Sequence, residues 1–245
     1  MLKQPFQPFK RRYWIRRLMK RMIHLGFDLL TDLQIIGQDN IPPNEPLLVV
    51  GNHFSFIDPV VVIHTMPRSI EFLGGKTLPN SPSYISWIPR LWGYVPVYRG
   101  SSSRDAIARA KRILDSGGLL GIFPEGGSWA KVLRPPRPGA ALLAARTGVR
   151  ILPLGIDGLV NVFPFLRKGK RAEVTVRIGE PFGPFEGDLR GRADRQKLDE
   201  FGHTIMQKIA ALIPAQYRGY YSDDPTIREA ARGTEIYPWQ NVAEI

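Results

Sequence analysis

Leu47-Leu-Val-Val-Gly-Asn-His-Phe-Ser-Phe-Ile-Asp-Pro-Val60 decides how this chain reads. Four apolar residues run into Gly51, a short loop presents Asn52 and His53, and Asp58-Pro59 opens a helix. Asp suits the N-cap and Pro the first helical position. An apolar run of this length, bounded by such signals, fits a strand buried on both faces. Outward from it, further strands are expected at 33–36, 70–73, 94–97, 119–123, 151–156 and 172–178. Helices are expected at 59–65, 104–116, 139–147 and 194–213. Strands alternating with helices predict a single α/β domain, a mostly buried mixed sheet flanked by helices. Functional side chains then sit in the loops beyond the strand ends.

Two of those loops carry candidate chemistry. His53 stands beyond a strand end with a carboxylate, Asp58, five positions later across a turn. Each has an ordinary reading alone, Asp58 as a helix cap and His53 as a loop residue. As a pair, the carboxylate fixes the imidazole tautomer and stabilises the imidazolium that forms when the ring takes a proton, which makes His53 a general base. No resident nucleophile is evident, so the proton comes from a substrate hydroxyl. The second loop is Gly121-Ile-Phe-Pro-Glu-Gly-Gly-Ser-Trp129, where a strand runs into a glycine turn able to cradle an anion. Glu125 there is placed to accept from a substrate hydroxyl or to brace a cation. Lys76 and Arg99 each follow a predicted strand and suggest a phosphate clamp.

The chain has 245 residues, 43% of them apolar, which suits one domain with an appendage. There is no cysteine, which excludes disulfides and thiolate chemistry and fits a reducing compartment. The four histidines form no cluster at metal-ligand spacing, so no metal is expected. No apolar run reaches the roughly 18–20 residues that span a bilayer, and no signal peptide is read. The net charge is +12, yet eight of the 34 cations fall in residues 1–27, which hold no acid. From Phe9 to Leu30 the period is helical, with Trp14, Ile15, Leu18, Met22, Leu25 and Leu29 on one face and most cations opposite. Such a helix lies in the headgroup layer of an anionic membrane, held by Trp14, Arg16, Arg17, Leu18, Lys20 and Arg21. Packing on its own domain with a solvated basic face is the alternative. No basic and aromatic surface continues into the body, so nucleic acid is not expected. The expected organisation is an amphipathic anchor at 1–31, the α/β domain at 32–213 and a tail at 214–245.

These motifs resemble the glycerolipid acyltransferases typified by 1-acyl-glycerol-3-phosphate acyltransferase. Asn52-His53-x4-Asp58 is similar to the family's first motif, Gly93-Tyr-Val-Pro-Val-Tyr-Arg99 to its second, Phe123-Pro-Glu-Gly126 to its third and Ile151-Leu-Pro-Leu-Gly155 to its fourth. The resemblance implies that His53, oriented by Asp58, acts as base on the hydroxyl of a lysophospholipid. That hydroxyl attacks the thioester of acyl-coenzyme A or acyl-carrier protein, a co-substrate, with no cofactor needed. It further implies that Arg99, Glu125 and Gly126, with Lys76, hold the acceptor's head group, and that the fourth block lines an acyl pocket. The implied location is the cytoplasmic face of the cell membrane, bound peripherally. One departure bears on the acceptor. The family's third motif continues Thr-Arg, whereas Gly127-Ser128 stand here, leaving Lys131, Arg134 or Arg137 to compensate. An acceptor other than 1-acyl-sn-glycerol-3-phosphate, such as a lyso-glycolipid or amino-lipid, therefore stays open, as does a non-catalytic membrane-binding module. A His–Asp hydrolase would need a resident nucleophile or metal.

Overall fold

The apolar run at 47–50 forms the middle of the sheet. Leu47 and Val49 point into one core and Leu48 and Val50 into another, all at 2% exposure or less. Both sides of strand β2 (Leu47–Gly51) are therefore dry, which is why it carries no polar alternation. The computed structural model describes residues 10–75, 87–97, 104–185, 192–234 and 236. Its elements are α1 (Lys10–Leu30), β1 (Thr31–Ile36), β2, α2 (Asp58–Thr65), β3 (Ile70–Gly75), α3 (Trp87–Trp92), β4 (Val95–Val97), α4 (Arg104–Asp115), β5 (Leu119–Ile122), α5 (Gly139–Thr147), β6 (Arg150–Asp157), α6 (Val162–Leu166), β7 (Ala172–Ile178), α7 (Arg192–Ala210) and α8 (Pro225–Glu229).

The strands form one mixed seven-stranded sheet in the order β1-β7-β6-β2-β5-β3-β4. β6, β2, β5, β3 and β4 are mutually parallel, so their C-terminal ends share one rim. β7 returns antiparallel to β6, and β1 lies parallel to β7. One face is covered through Phe27 of α1, Val61 and Val62 of α2, Trp92 of α3 and Val162 of α6. The other is covered through Ala110 of α4, Leu143 of α5 and Ile205 and Ile209 of α7. Close packing fixes Gly121 in β5, where a Cβ would lie 2.6 Å from the Phe72 ring on neighbouring β3.

The α/β architecture agrees with the sequence reading, and the differences have local causes. α3 and α6 were not expected: each is five or six residues long with an internal proline, Pro89 or Pro164, and too short to show a helical period. α7 stops at Ala210, three residues short of expectation, as the chain turns toward Pro214.

The N-terminal helix corrects two assignments. Arg16 is 3% exposed and donates to the Trp92 carbonyl (2.8 Å) and through both terminal nitrogens to the Glu71 carboxylate. Lys20 donates to the Met66 carbonyl at 2.6 Å. These two cations lie half a turn from the apolar stripe and face the body, so they tie α1 to it and are not membrane contacts. Met19, Ile23 and Phe27 complete that inner face. The stripe counted in the sequence faces outward: Trp14, Leu18, Met22, Leu25 and Leu29 are 60% to 68% exposed, with Arg17 and Arg21 exposed beside them. Among the described residues no helix is long and apolar enough to cross a membrane.

Candidate active site

β2 does not end its pairing at Gly51. Asn52, fully buried, donates to the Ile156 carbonyl (2.8 Å) and accepts from the Ile156 amide (2.7 Å), so its side chain imitates one more step of strand. The chain then leaves the sheet at a fixed angle and delivers His53 to the rim. His53 Nδ1 lies 2.9 Å from Asp58 Oδ2, and the ring stacks on Phe123 with centroids 4.3 Å apart. The imidazole is 16% exposed and the carboxylate 1%. With Nδ1 engaged by Asp58, Nε2 is the ring nitrogen left for a ligand.

Asp58 is not the helix cap expected from the sequence: Ile57 holds the cap position of α2, no side chain caps the helix, and Asp58 is its first residue. Its Oδ2 also accepts the Ser55 amide at 2.8 Å, so the carboxylate turns back on the 53–57 loop and closes it. Its charge sits in the first turn of α2, where the helix dipole favours an anion. Burial pushes the Asp58 carboxyl above the usual range, while the hydrogen bonds from His53 and the loop amides pull it back.

Of the two sequence-based readings of Glu125, the structure shows the brace on a cation and not the head-group contact. Glu125 is 1% exposed, with Oε1 accepting the His53 amide at 2.7 Å and Oε2 accepting Arg134 Nε at 3.1 Å. Both oxygens are occupied inside the protein, so Glu125 braces the His53 loop and a cation and offers a head group no surface. Burial pushes its carboxyl up to about 7, and the Arg134 charge and the His53 amide oppose that rise.

Arg134 is the residue sequence reasoning misjudged. Offered there with Lys131 and Arg137 as alternatives to the motif's missing arginine, it is 1% exposed, packs 3.7 Å over the Trp129 ring and donates to the Gly127 carbonyl and to Glu125. Nothing in Leu133-Arg-Pro-Pro marks it as buried, since the prolines restrict the backbone and not the arginine side chain. The chain after Pro214 clamps this loop, Leu133 exchanging backbone hydrogen bonds with Tyr217 and Tyr220 while Trp129 Nε1 donates to the Thr234 carbonyl. Lys131 instead stays exposed and lines a small cleft with Phe54, Asp58, Gly158 and Tyr217.

Gly126 stands exposed at the rim with φ 79, a conformation that favours glycine. Lys76 and Arg99 lie outside the described residues. Ile151, Leu152 and Leu154, expected along an acyl pocket, are 0% exposed and packed into the two cores, so this stretch of β6 lines no open pocket. Among the described residues no group of three His, Asp or Glu side chains is placed to hold a metal ion.

The acyltransferase family profile matches 32–157, from β1 to the end of β6, and so contains His53, Asp58 and Glu125. The chain belongs to the acyltransferase family. It is 30% identical over 176 residues to the chloroplastic 1-acyl-sn-glycerol-3-phosphate acyltransferase BAT2 of Brassica napus, covering 69% of this chain and 50% of that one. It is 26% identical to the chloroplastic LPAT1 of Arabidopsis thaliana, covering 80% and 56%. A Bacillus subtilis 1-acyl-sn-glycerol-3-phosphate acyltransferase is 21% identical, covering 74% and 87%. The chain thus spans about half the length of the two plant relatives. The fold is similar to the crystal structure of the 1-acyl-sn-glycerophosphate (LPA) acyltransferase PlsC from Thermotoga maritima, with TM-score 0.58 and 23% identity, covering 83% of this chain and 80% of that one.

Proposed function

We propose that this protein is an O-acyltransferase that moves a fatty acyl group from acyl-coenzyme A or acyl-carrier protein to the hydroxyl of a lysophospholipid, 1-acyl-sn-glycerol-3-phosphate giving phosphatidic acid. One observation carries the reading: an imidazole at the rim, 16% exposed, with Nδ1 2.9 Å from a buried carboxylate and Nε2 left as the second ring nitrogen. Nδ1 keeps its proton toward Asp58, so Nε2 is the basic site. His53 Nε2 takes the proton of the acceptor hydroxyl as its oxygen bonds to the thioester carbonyl carbon. Collapse of the tetrahedral intermediate breaks the carbon–sulfur bond, and the imidazolium returns the proton to the departing thiolate. Asp58 stabilises the imidazolium between these steps. Glu125 holds the His53 backbone and so sets the ring's position, and no cofactor is required.

The outward stripe of α1 supports peripheral docking on a membrane, and the face we propose is the cytoplasmic one. Each large apolar side chain fully taken out of water contributes roughly 1.5–3 kcal/mol. The domain organisation we propose keeps 1–31 as the docking segment, 32–213 as the catalytic domain and 214–245 as the tail. Gly126, Lys76 and Arg99 are proposed for the head group.

A second acceptor class has a specific observation in its favour. Ser128 stands where the family's third motif has arginine, and Arg134 is occupied by Glu125 and Gly127; among the described residues this leaves Lys131 beside the Asp58 cleft and the exposed Arg137, whose stem lies against Gly126. A less anionic acceptor, a lyso-glycolipid or amino-lipid, fits that supply of charge. Purified protein offered matched donors and lyso-lipids in vesicles, with products read by mass spectrometry, separates the two. His53→Ala is expected to abolish transfer with melting unchanged, and near-normal turnover in that variant would remove the base assignment.

A further inference from the structure

Between β6 and β7 the chain makes a short excursion at the catalytic rim that has no part in the proposed chemistry. It turns at Gly158, where φ is 87 and a Cβ would fall 2.0 Å from the Glu173 carbonyl oxygen. The turn therefore packs directly on β7 and fixes the start of α6. Val162, 5% exposed, and Leu166 face the core, while Phe163 and Phe165 are 43% and 38% exposed. The Phe163 ring stacks on Phe56, centroids 5.6 Å apart and planes within 13°. Phe56 belongs to the His53–Asp58 loop, so the aromatic patch is continuous with the candidate active site.

Directly after it come Arg167, Lys168, Lys170 and Arg171, all exposed, with no acid before Glu173. Arg171 turns away from the patch. It donates to the backbone carbonyls of Asp28 (3.0 Å) and Thr31 and pairs with Asp32 at 2.9 Å. That contact joins the excursion to the C-terminal end of α1, where Leu29 of the outward face is 67% exposed. Two apolar surfaces and a band of cations thus meet at one edge of the molecule.

The geometry points to 163–170 as a second lipid-docking element, two phenylalanines that enter the acyl boundary of an anionic bilayer and three cations that meet its phosphates. It seats beside α1 and turns the rim that carries His53 toward the membrane. The inference rests on the lipid-acceptor reading, because a lipid hydroxyl has to reach His53 from the bilayer. Segregation favours a membrane over nucleic acid: the aromatics come first and the cations form a band after them, matching the layering of acyl boundary and headgroups. A nucleic acid on the cations would leave the adjoining α1 stripe wet.

The test uses the full chain and vesicles of phosphatidylcholine with and without phosphatidylglycerol. Each cation near an anionic surface is worth roughly 1 kcal/mol, so the double variant Lys168→Gln, Lys170→Gln should bind the anionic vesicles about thirtyfold more weakly. Both residues are exposed, and melting should not change. Because the chain lacks cysteine, Phe165→Cys carries an environment-sensitive fluorophore at one position. Its emission should shift to the blue on vesicles and be quenched by quenchers placed in the acyl chains. Unchanged partition of the double variant, a label that stays in water, or a loss of affinity seen with RNA oligonucleotides and not with vesicles overturns the inference. If vesicle binding falls as expected while no lyso-lipid is acylated by the parent protein, the docking element stands and the acyltransferase reading falls. If transfer proceeds and partition is unchanged, only the docking element falls.

Discussion

Replacing Arg134 by Met tests whether the candidate site is held from beneath. The guanidinium is 1% exposed and, among the described residues, supplies the formal positive charge bonded to the buried Glu125 carboxylate. Its removal leaves Glu125 charged and unpaired in the interior, or forces it to hold a proton. Breaking one side of a buried ion pair costs about 3–5 kcal/mol. The lost stacking on Trp129 adds to this, partly offset because a methionine sulfur also packs well on an aromatic ring. At about 2–4 °C per kcal/mol for a chain of this size, the melting temperature should fall by roughly 6–20 °C. Glu125→Gln combined with Arg134→Met removes both charges and should recover part of that loss, giving a coupling of about 0.5–3 kcal/mol in a double-mutant cycle.

Catalysis should respond separately, because Glu125 Oε1 is the acceptor for the His53 amide. A displacement of about 1 Å at the base can cost on the order of 100-fold in rate, so kcat should drop while donor KM barely moves. The pH profile adds a readout that general destabilisation would not move. Arg134 is the main charge opposing the rise of the Glu125 carboxyl to about 7, so its removal raises that carboxyl further. Only ionised Glu125 can accept from both of its donors, so the acid limb of the profile should shift to higher pH. Urea unfolding and pH-dependent single-turnover rates decide the matter. A variant within about 1 kcal/mol of the parent, with unaltered kcat and acid limb, would refute the claim that the pair positions His53.

Three other variants probe the neighbouring contacts. Asp58→Asn keeps the shape of the loop but no longer holds the proton on His53 Nδ1, so kcat should fall on the order of 10,000-fold with melting preserved, read by turnover and calorimetry. His64→Phe removes an imidazole packed 4.1 Å from His24 and 5.3 Å from Phe27, whose two buried nitrogens have no hydrogen-bond partner among the described residues. Burial and the charges of His24 and Lys20 lower its pKa to about 4, against the pull of Asp28, so the unfolded chain takes the proton first as pH falls. The parent should lose stability between about 6.5 and 4, and His64→Phe should flatten that slope in urea unfolding. Arg16→Met breaks the bidentate pair with Glu71 and should cost about 3–5 kcal/mol, with faster amide exchange concentrated in α1.

How much of this was legible depended on the length scale of each feature. The central strands were, because Leu47–Val50 and Ile151–Ile156 are apolar on both faces and turn signals bound them. The His53–Asp58 pair was, because the two residues share one loop. What lay across the fold was not. Asn52 finds its partner 104 residues away on β6, and nothing in an isolated Asn announces it. Arg134 and Glu125 are nine residues apart, yet a proline-rich loop has no period that would tell which side chains turn inward. In α1 the outward stripe was legible from its period, but not the face that packs on the body. Met19, Ile23 and Phe27 form a second apolar stripe, and only the position of Glu71 and Trp92 on the body decides which stripe is buried.

That orientation changes the electrostatics of docking. Had all the cations of α1 faced outward, the helix alone could have supplied the attraction to an anionic surface. Arg16 and Lys20 are instead committed to Glu71, Trp92 and Met66, which leaves Arg17 and Arg21 beside the apolar stripe in the part of α1 whose side chains are described. At roughly 1 kcal/mol each, two cations give weak and easily screened binding. Arg167, Lys168 and Lys170 more than double that number, and they stand where β6 delivers the rim. Two separated points of attachment also resist rotation about the axis of α1, which one helix cannot do. On the proposed function, a lipid hydroxyl approaching from the bilayer would then meet His53 in one orientation rather than many, and reduced orientational freedom lowers the barrier to reaction.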